Sequence, residues 1–274
     1  MAILCANTVI PSSGKRTPTV DGLDEEWQVN YLANFHLLSI LSPALRAQPS
    51  HRDVRVIFTT CPSYIGAKFD LKPASYVSIS SKTEKPITTT ITKNNSLFAL
   101  SKLSLMIFAQ AFQSHLNAYK RPDGQPPCTR VLTVDPGFSR TPGTRRWLTG
   151  GSLWGLLFYL ITWPLWWLIL KSPQQGAQSI LYAAMEARYG RGEGGWMVKE
   201  CREVDLSRVD VRNEEMAKEL WGFSERQIEA REKEMAVLRA LEKKEKEEGE
   251  KRKAENKGNT NEQTQGSRRS RKTK

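Results

Sequence analysis

Three short apolar runs, separated by long segments with helical periodicity, limit the fold of this chain more than any other feature. The runs are residues 2–10, 54–60 and 128–135. The second is nearly continuous in apolar or β-branched residues, which is typical of a strand covered on both faces. Strands that alternate with helices are typical of βαβ units, so the sequence predicts an α/β fold with a parallel sheet.

Helices are expected at residues 21–45, 95–119 and 172–189. The first has an apolar stripe at helical spacing, and Pro43 predicts that its last turn is kinked or already over. The second is apolar over a broad face, which is typical of a central helix. The polar stretch 62–94 is long enough for a functional lid or a flexible insertion.

Composition excludes several classes of protein. With 274 residues, 39% of them hydrophobic, the chain can bury a large core and is not disordered throughout. The spacing of the cysteines and histidines indicates neither a disulfide framework nor a metal site. These residues are Cys5, Cys61, Cys128, Cys201, His36, His51 and His115.

Residues 148–170 form a block of 23 residues without a charge, close to the roughly 20 that a membrane-spanning helix needs. Five of the eight tryptophans lie in or beside the block, and tryptophan prefers the membrane interface. Because Gly150-Gly151 and Pro164 divide it, a span, a re-entrant hairpin and a kinked interfacial helix all remain open. A helix pair buried in the core or at a dimer interface is the alternative. The flanking basic residues are Arg140, Arg145, Arg146 and Lys171.

The sequence divides into three parts. We expect a partial α/β domain over residues 1–205, which includes the membrane-associating block 148–170. A charged helical extension would follow at 206–255, and a disordered basic tail at 256–274. The net charge is +12, of which residues 226–274 supply +6. Since basic residues also flank the tryptophan-rich block, lipid head groups are favoured over nucleic acid as the anionic partner.

Six segments, in this order, resemble the short-chain dehydrogenase/reductase family, in particular its retinol-dehydrogenase-like and fungal lipid-droplet members. They cover roughly residues 2–190. The segments are Ala6-Asn7-Thr8, DGLDEEWQVNYLANFHLL, RVIFTTC, LFALSK, VDPGFSRT and KSPQQGAQSILYAA.

This resemblance implies an incomplete Rossmann-like, doubly wound parallel sheet. The family begins with a Gly-rich nucleotide-binding turn and further βα units, and this sequence begins at the family's fourth strand. We therefore expect an N-terminally truncated chain that lacks the first βαβαβα part, plus an apolar helical insertion and a charged C-terminal helix. Strand 2–10 would become an exposed edge. Three explanations of this arrangement stay open: a truncated gene product, an incorrect start site, or an edge covered by another copy or a partner.

By the same resemblance, four positions correspond to the family's catalytic residues. Asn30 and Lys102 match its Asn and Lys, whereas Phe98 stands where the family has its Tyr general acid/base and Cys61 where it has Ser. A phenol near neutrality needs a nearby cation to lower its pKa, and a phenyl ring exchanges no proton at all. Tyr64 and Tyr76 are other hydroxyls in the following loop, but neither has a Lys four residues later.

The resemblance also implies a cofactor, NAD(P), contacted by Asn7, Lys102, Pro136, Gly137 and Thr141. The implied reaction interconverts a lipophilic alcohol and its ketone or aldehyde, impaired here by Phe98 and Cys61. The alternative is a non-catalytic pseudoenzyme that binds a membrane or lipid-droplet surface. In both cases we expect the cytosolic face of the endoplasmic reticulum or of a lipid droplet, with no metal.

Overall fold

The computed structural model describes residues 2–5, 19, 21–75, 97–150 and 152–270. The chain divides into two compact units, Met1–Ser224 and Glu225–Lys274. The first contains the sheet, its helices and the described candidate site residues, and the described part of the second, up to Ser270, is the later part of one long helix.

A five-stranded sheet forms the centre of the first unit, with the strands in sequence order. Neighbouring strands among the first four are parallel, and the last pair is antiparallel. The α/β class and the largely parallel sheet predicted from the sequence are therefore confirmed. The strands are β1 (Ala2–Cys5), β2 (Val54–Thr59), β3 (Thr129–Asp135), β4 (Trp196–Lys199) and β5 (Arg202–Val204).

The first two strands differ in how far they match the sequence pattern. β1 lies at one end of the sheet, with Leu4 half exposed, and residues 6–10 of the predicted strand lie outside the described residues. β2 is buried at five of its six positions, as its continuous apolar pattern predicted. Its register against β3 places Thr59 beside Val134, so the carboxyl ends of both strands meet at one edge.

The first predicted helix consists of α1 (Glu25–Trp27), a π-helical turn (Gln28–Leu32) and α2 (Ala33–Arg46). Asp24 caps it, because its carboxylate accepts from the backbone N–H groups of Glu26 and Trp27. Pro43 lies inside the last turn and the helix continues to Arg46, so the expectation that it had already ended is wrong. The Pro43 carbonyl still accepts from the Ala47 N–H, although proline has no N–H to donate to the preceding turn.

The second predicted helix is α3 (Leu97–Ala118), which packs against β3. Among the described residues it is the one helix long and apolar enough to cross a membrane, but 72% of its apolar window is buried inside the protein. It is therefore the central core helix that its broad apolar face predicted. Phe108 is the hub of this core, with its ring 5.1 Å from Phe35 and 5.9 Å from Phe58.

Three short helices follow β3: α4 (Pro142–Thr149), α5 (Leu153–Ile161) and α6 (Trp163–Ile169). The third predicted helix follows as α7 (Pro173–Met185), and a 3₁₀ turn (Ala187–Gly190) takes the place of its predicted last turn. Ser172 and Gln175 form a capping box at the start of α7, which fixes where the insertion ends.

The C-terminal part differs from the sequence expectation. β4 and β5 were not predicted, because both are short and one is mostly polar. The predicted boundary at 205/206 falls inside the first unit, since Val211 and Leu220 are buried in it. Helix α8 (Glu214–Ser270) continues through most of the predicted disordered tail, in a stretch that has no proline to end it.

Candidate functional site

Lys102 lies at the carboxyl edge of the sheet, one helical turn into α3. Its Nζ donates to the carbonyl oxygen of Thr59, the last residue of β2, over 3.2 Å. The side chain is 1% exposed, and burial lowers the pKa of the ammonium group from its usual 10.5 to about 8. The nearby Cys61 raises the pKa of Lys102, because a thiolate there would stabilise the charged ammonium.

Phe98 occupies the first turn of α3, four residues before Lys102, so both side chains share one helix face. The Lys102 Nζ lies 6.0 Å from the centre of the Phe98 ring. The cation is thus placed beside an aromatic ring, as the resemblance implies, but the ring lacks the hydroxyl on which a lowered pKa would act.

Asn30 is fully buried in the π-helical turn between α1 and α2. Its Nδ2 donates to the Ser101 hydroxyl over 3.2 Å, and that hydroxyl donates to the Phe98 carbonyl over 2.8 Å. Turns of this kind occur often at functional sites, because they push one side chain out of the regular helical register. The turn thereby connects Asn30 to the backbone of the helix that carries Phe98 and Lys102.

Cys61 lies just after β2 and is half buried. Its Sγ lies 3.0 Å from the hydroxyl of Ser63, in the 3₁₀ turn Pro62–Gly66. Ser63 was missed by the sequence reasoning, which matched the family's Ser to position 61 alone. The sequence did contain a signal for it, because Ser63 follows Cys61 by two residues at the end of a strand.

Pro136 and Gly137 come directly after β3 at the same edge. Gly137 has a φ of +75°, and a Cβ there would lie 2.5 Å from Glu200 Oε1, so this turn needs glycine. Its N–H donates to the Asp135 carboxylate, which is buried and has a raised pKa for that reason. Thr141 has a different local role, because its hydroxyl accepts from the Thr144 N–H and caps α4.

Other predicted groups are used elsewhere. The Tyr64 hydroxyl is buried and donates to the Met197 Sδ over 3.7 Å, across to β4. Asn7 and Tyr76 lie outside the described residues. His115 contacts Arg46 and the Trp221 ring, and burial lowers its pKa. Within the described part of the chain no cluster of three metal-ligating side chains occurs, and the four cysteines are free.

The residues present fit the nicotinamide end of a dinucleotide. Lys102 and the Pro136-Gly137 turn lie at adjacent strand ends, joined by a 2.8 Å hydrogen bond from the Thr60 N–H to the Val134 carbonyl. Thr60 Oγ1 is buried there without a partner among the described residues. Ligands of open α/β sheets bind at this carboxyl edge.

Sequence comparisons find oxidoreductases among the proteins that are similar to this chain. An uncharacterized oxidoreductase of Schizosaccharomyces pombe, pbr1, is 34% identical over 85% of this chain and 60% of its own length. The polyprenol dehydrogenase of Mus musculus is 28% identical over 75% of this chain and 54% of its own length. Mus musculus retinol dehydrogenase 13 is 25% identical over 77% of this chain and 55% of its own length. No family model matches the chain.

These matches to oxidoreductases, among them a polyprenol dehydrogenase and a retinol dehydrogenase, are what the resemblance to the short-chain dehydrogenase/reductase family predicts. The match to a retinol dehydrogenase agrees with the resemblance drawn from the six motifs. The chain spans a little more than half the length of these curated relatives. Of the residues that the resemblance matches to the family's catalytic positions, Lys102 contacts the end of β2, and Asn30 contacts Ser101, the residue before Lys102.

Proposed function

We propose that this chain is a short-chain dehydrogenase/reductase whose reaction is the NAD(P)-dependent interconversion of a lipophilic alcohol and its ketone or aldehyde, severely slowed by Phe98. Its location would be the cytosolic face of the endoplasmic reticulum or of a lipid droplet. The observation that carries the proposal is the buried Lys102 ammonium, 6.0 Å from the centre of a ring that has no hydroxyl.

Reduction of a carbonyl needs a proton on the oxygen as hydride reaches the carbon. Phe98 cannot supply it, and general acid catalysis contributes about 10²- to 10⁴-fold to such steps. A thiol at Cys61 is also a weaker hydrogen-bond donor to the carbonyl oxygen than a serine hydroxyl. The Ser63 hydroxyl, 3.0 Å from Cys61 Sγ, is a candidate substitute donor.

The cofactor would supply the hydride when bound. Lys102 would hold the ribose beside its nicotinamide ring, and the Pro136-Gly137 turn would border that ring. The buried Thr60 hydroxyl supports this placement, because a buried polar atom without a protein partner is a candidate contact for a ligand.

A lipophilic substrate is supported by the segment of the chain directly after β3. This strand ends at Asp135, the Pro136-Gly137 turn comes next, and Phe138 is already 57% exposed. Helices α4–α6 then form an apolar insertion that begins and ends at this edge of the sheet. A substrate with a long hydrocarbon part would find apolar surface next to the proposed reaction centre.

The test is to restore the missing groups. The full chain and its Phe98→Tyr/Cys61→Ser variant are assayed in detergent with NADH, NADPH and a long-chain aldehyde. We expect at least 100-fold faster turnover by the double variant, while the matched control Phe98→Leu/Cys61→Ser stays at the level of the unmodified chain. Equal rates for the unmodified chain and the double variant would contradict the proposal.

A second function, a non-catalytic surface-binding protein, is favoured by the same degenerate pair, Phe98 and Cys61. NAD(P)H binding by the unmodified chain separates the two functions. Saturable binding at micromolar concentration, abolished in Lys102→Met, would support an impaired enzyme. If neither dinucleotide binds and the double variant remains inactive, the non-catalytic function is the better account.

A further inference from the structure

Helices α5 and α6 present an unusual surface. Twelve large apolar side chains between residues 153 and 169 are exposed, from 39% for Leu156 to 84% for Leu153. Seven of the nine residues of α5 are exposed, all but Gly155 and Tyr159, so its apolar side chains cover a wider arc than the stripe of roughly 100° on an ordinary surface helix. A partner protein covers one stripe or patch, whereas acyl chains cover a helix on several sides.

Side-chain hydrogen bonds compensate for the break in the helix within this segment. At the break between α5 and α6, the Thr162 hydroxyl donates to the Phe158 carbonyl over 2.8 Å and accepts from the Trp166 indole N–H over 2.7 Å. The Tyr159 side chain is buried, with its ring 6.0 Å from that of Trp163. Inside a hydrocarbon layer a break in a helix requires such compensation, because no water replaces the lost hydrogen bonds.

The two ends of the insertion lie side by side. The Lys171 N–H donates to the Phe138 carbonyl over 3.1 Å, and the Arg140 N–H donates to the Lys171 carbonyl over 2.8 Å. Ser139 and Lys171 also form a parallel β-bridge. The chain therefore leaves the domain and returns to it at one place.

Helices α5 and α6 are too short to cross a bilayer. At 1.5 Å per residue, the nine residues of α5 and the seven of α6 are about 14 Å and about 10 Å long, and a bilayer core is about 30 Å thick. Even end to end the two helices are too short. Since the chain also returns to its starting place, the segment fits within one leaflet.

The charges at the base are complementary to a lipid surface. Residues 138–172 contain Arg140, Arg145, Arg146 and Lys171 and no acidic residue. The Arg140 guanidinium lies 5.1 Å from the centre of the Trp167 ring, which places a cation and an indole together as at a membrane interface. The Lys171 Nζ lies 2.8 Å from the Glu200 carboxylate, which neutralises part of its charge.

We propose that residues 153–169 insert into one leaflet of an anionic phospholipid membrane as a monotopic hairpin, with Arg140 and Lys171 at the head groups. This proposal adds a membrane as a partner to the proposed function. It rests on that function only where the membrane would deliver a lipophilic substrate. Turnover in detergent and binding to vesicles are separate measurements, so the two proposals can fail independently.

The test uses the full chain and sedimentation with vesicles of phosphatidylcholine and phosphatidylserine. The variant Trp154→Glu/Leu168→Glu changes two side chains that are 81% and 78% exposed, so the fold should survive. We expect at least tenfold weaker binding. The matched control is Val209→Glu, at an 89% exposed apolar residue outside the insertion, and we expect its binding to be unchanged.

Depth is measured by quenching of tryptophan fluorescence with nitroxide lipids. Shallow labels should quench more than labels near the bilayer centre, and the Trp163→Phe variant should lose part of that shallow quenching. Stronger quenching by the deep labels would indicate a span and overturn the single-leaflet arrangement. Unchanged vesicle binding by the double variant would overturn the proposal, as would a stable dimer in solution that the same variant dissociates.

Discussion

A buried lysine beside a phenyl ring is costly to maintain. Lys102 is 1% exposed and its ammonium has a carbonyl acceptor in Thr59, yet burial still lowers its pKa to about 8. In the family this charge lowers the pKa of a tyrosine, a role that Phe98 leaves unused. The residue therefore affects the stability of this chain in a pH-dependent way.

We expect the free energy of unfolding to rise between pH 8 and 10.5 because of Lys102. Below pH 8 both states hold the proton; above it the folded state releases the proton first, so the unfolded state binds more protons and stability increases with pH. From pH 7.5 to 10 the gain over a Lys102→Met variant should be about 2 kcal/mol. Urea unfolding of both proteins at each pH measures it. A constant difference between them would contradict the lowered pKa.

At the scale of elements, the first turns of α8 belong to the core and not to a solvated extension. The Trp221 ring lies 5.2 Å from Phe35 and 5.7 Å from Phe108, and the Tyr31 hydroxyl lies 2.7 Å from the Ser224 hydroxyl. These contacts connect α8 to α3 and to the helix that carries Asn30. The beginning of α8 thus supports the element that positions a site residue.

Replacing Trp221 with Ala should lower the free energy of unfolding by about 2 kcal/mol, less than a fully buried tryptophan would lose because this one is half buried. Val209→Ala, at an exposed apolar position, is the control and should change it by under about 0.5 kcal/mol. Both are measured by urea denaturation. A loss as small as that of the control would show that α8 docks without this ring.

At the scale of the molecule, the apolar insertion leaves the first unit and returns to it at one place, which we call the base. The base is the pairing of residues 138–140 with Lys171, and the capping box at Ser172 starts α7 directly afterwards. The sheet and its core helices do not depend on the exposed side chains of α5 and α6 for their packing. Folding and surface attachment are therefore separable properties of this chain.

Replacing residues 143–169 with a short Gly-Ser linker should keep the fold and increase solubility. We expect the midpoint of urea unfolding to remain within experimental error, since the ends to be joined already lie next to each other, while vesicle binding is lost. Circular dichroism checks the fold and sedimentation checks the binding. Retained membrane recovery would mean that another surface of the chain makes the contact.

Much of the fold could be predicted, because it depends on local pattern. β2 is nearly continuous in apolar or β-branched residues, β3 is buried along its whole length, and α3 has the broad apolar face of a core helix. β4 and β5 were missed because pairing, and not composition, makes them strands: β4 adds to the edge of β3, and β5 folds back on it. The true end of the first unit was missed for a similar reason, since Trp221 and Ser224 lie in a sequence that is otherwise densely charged.

The sequence by itself determined the resemblance to the family, the residues Asn30 and Lys102 that carry part of it, and the absence of a hydroxyl at Phe98, because residue identity decides which group can carry a proton. Tertiary structure decided what these residues contact: the π-helical turn brings Asn30 to Ser101, and the strand end brings Thr59 to Lys102. It also decided that the uncharged block 148–170 is two short helices on a common base. Hydropathy reports only how apolar a segment is, whereas backbone pairing between residues far apart in sequence fixes where it begins and ends.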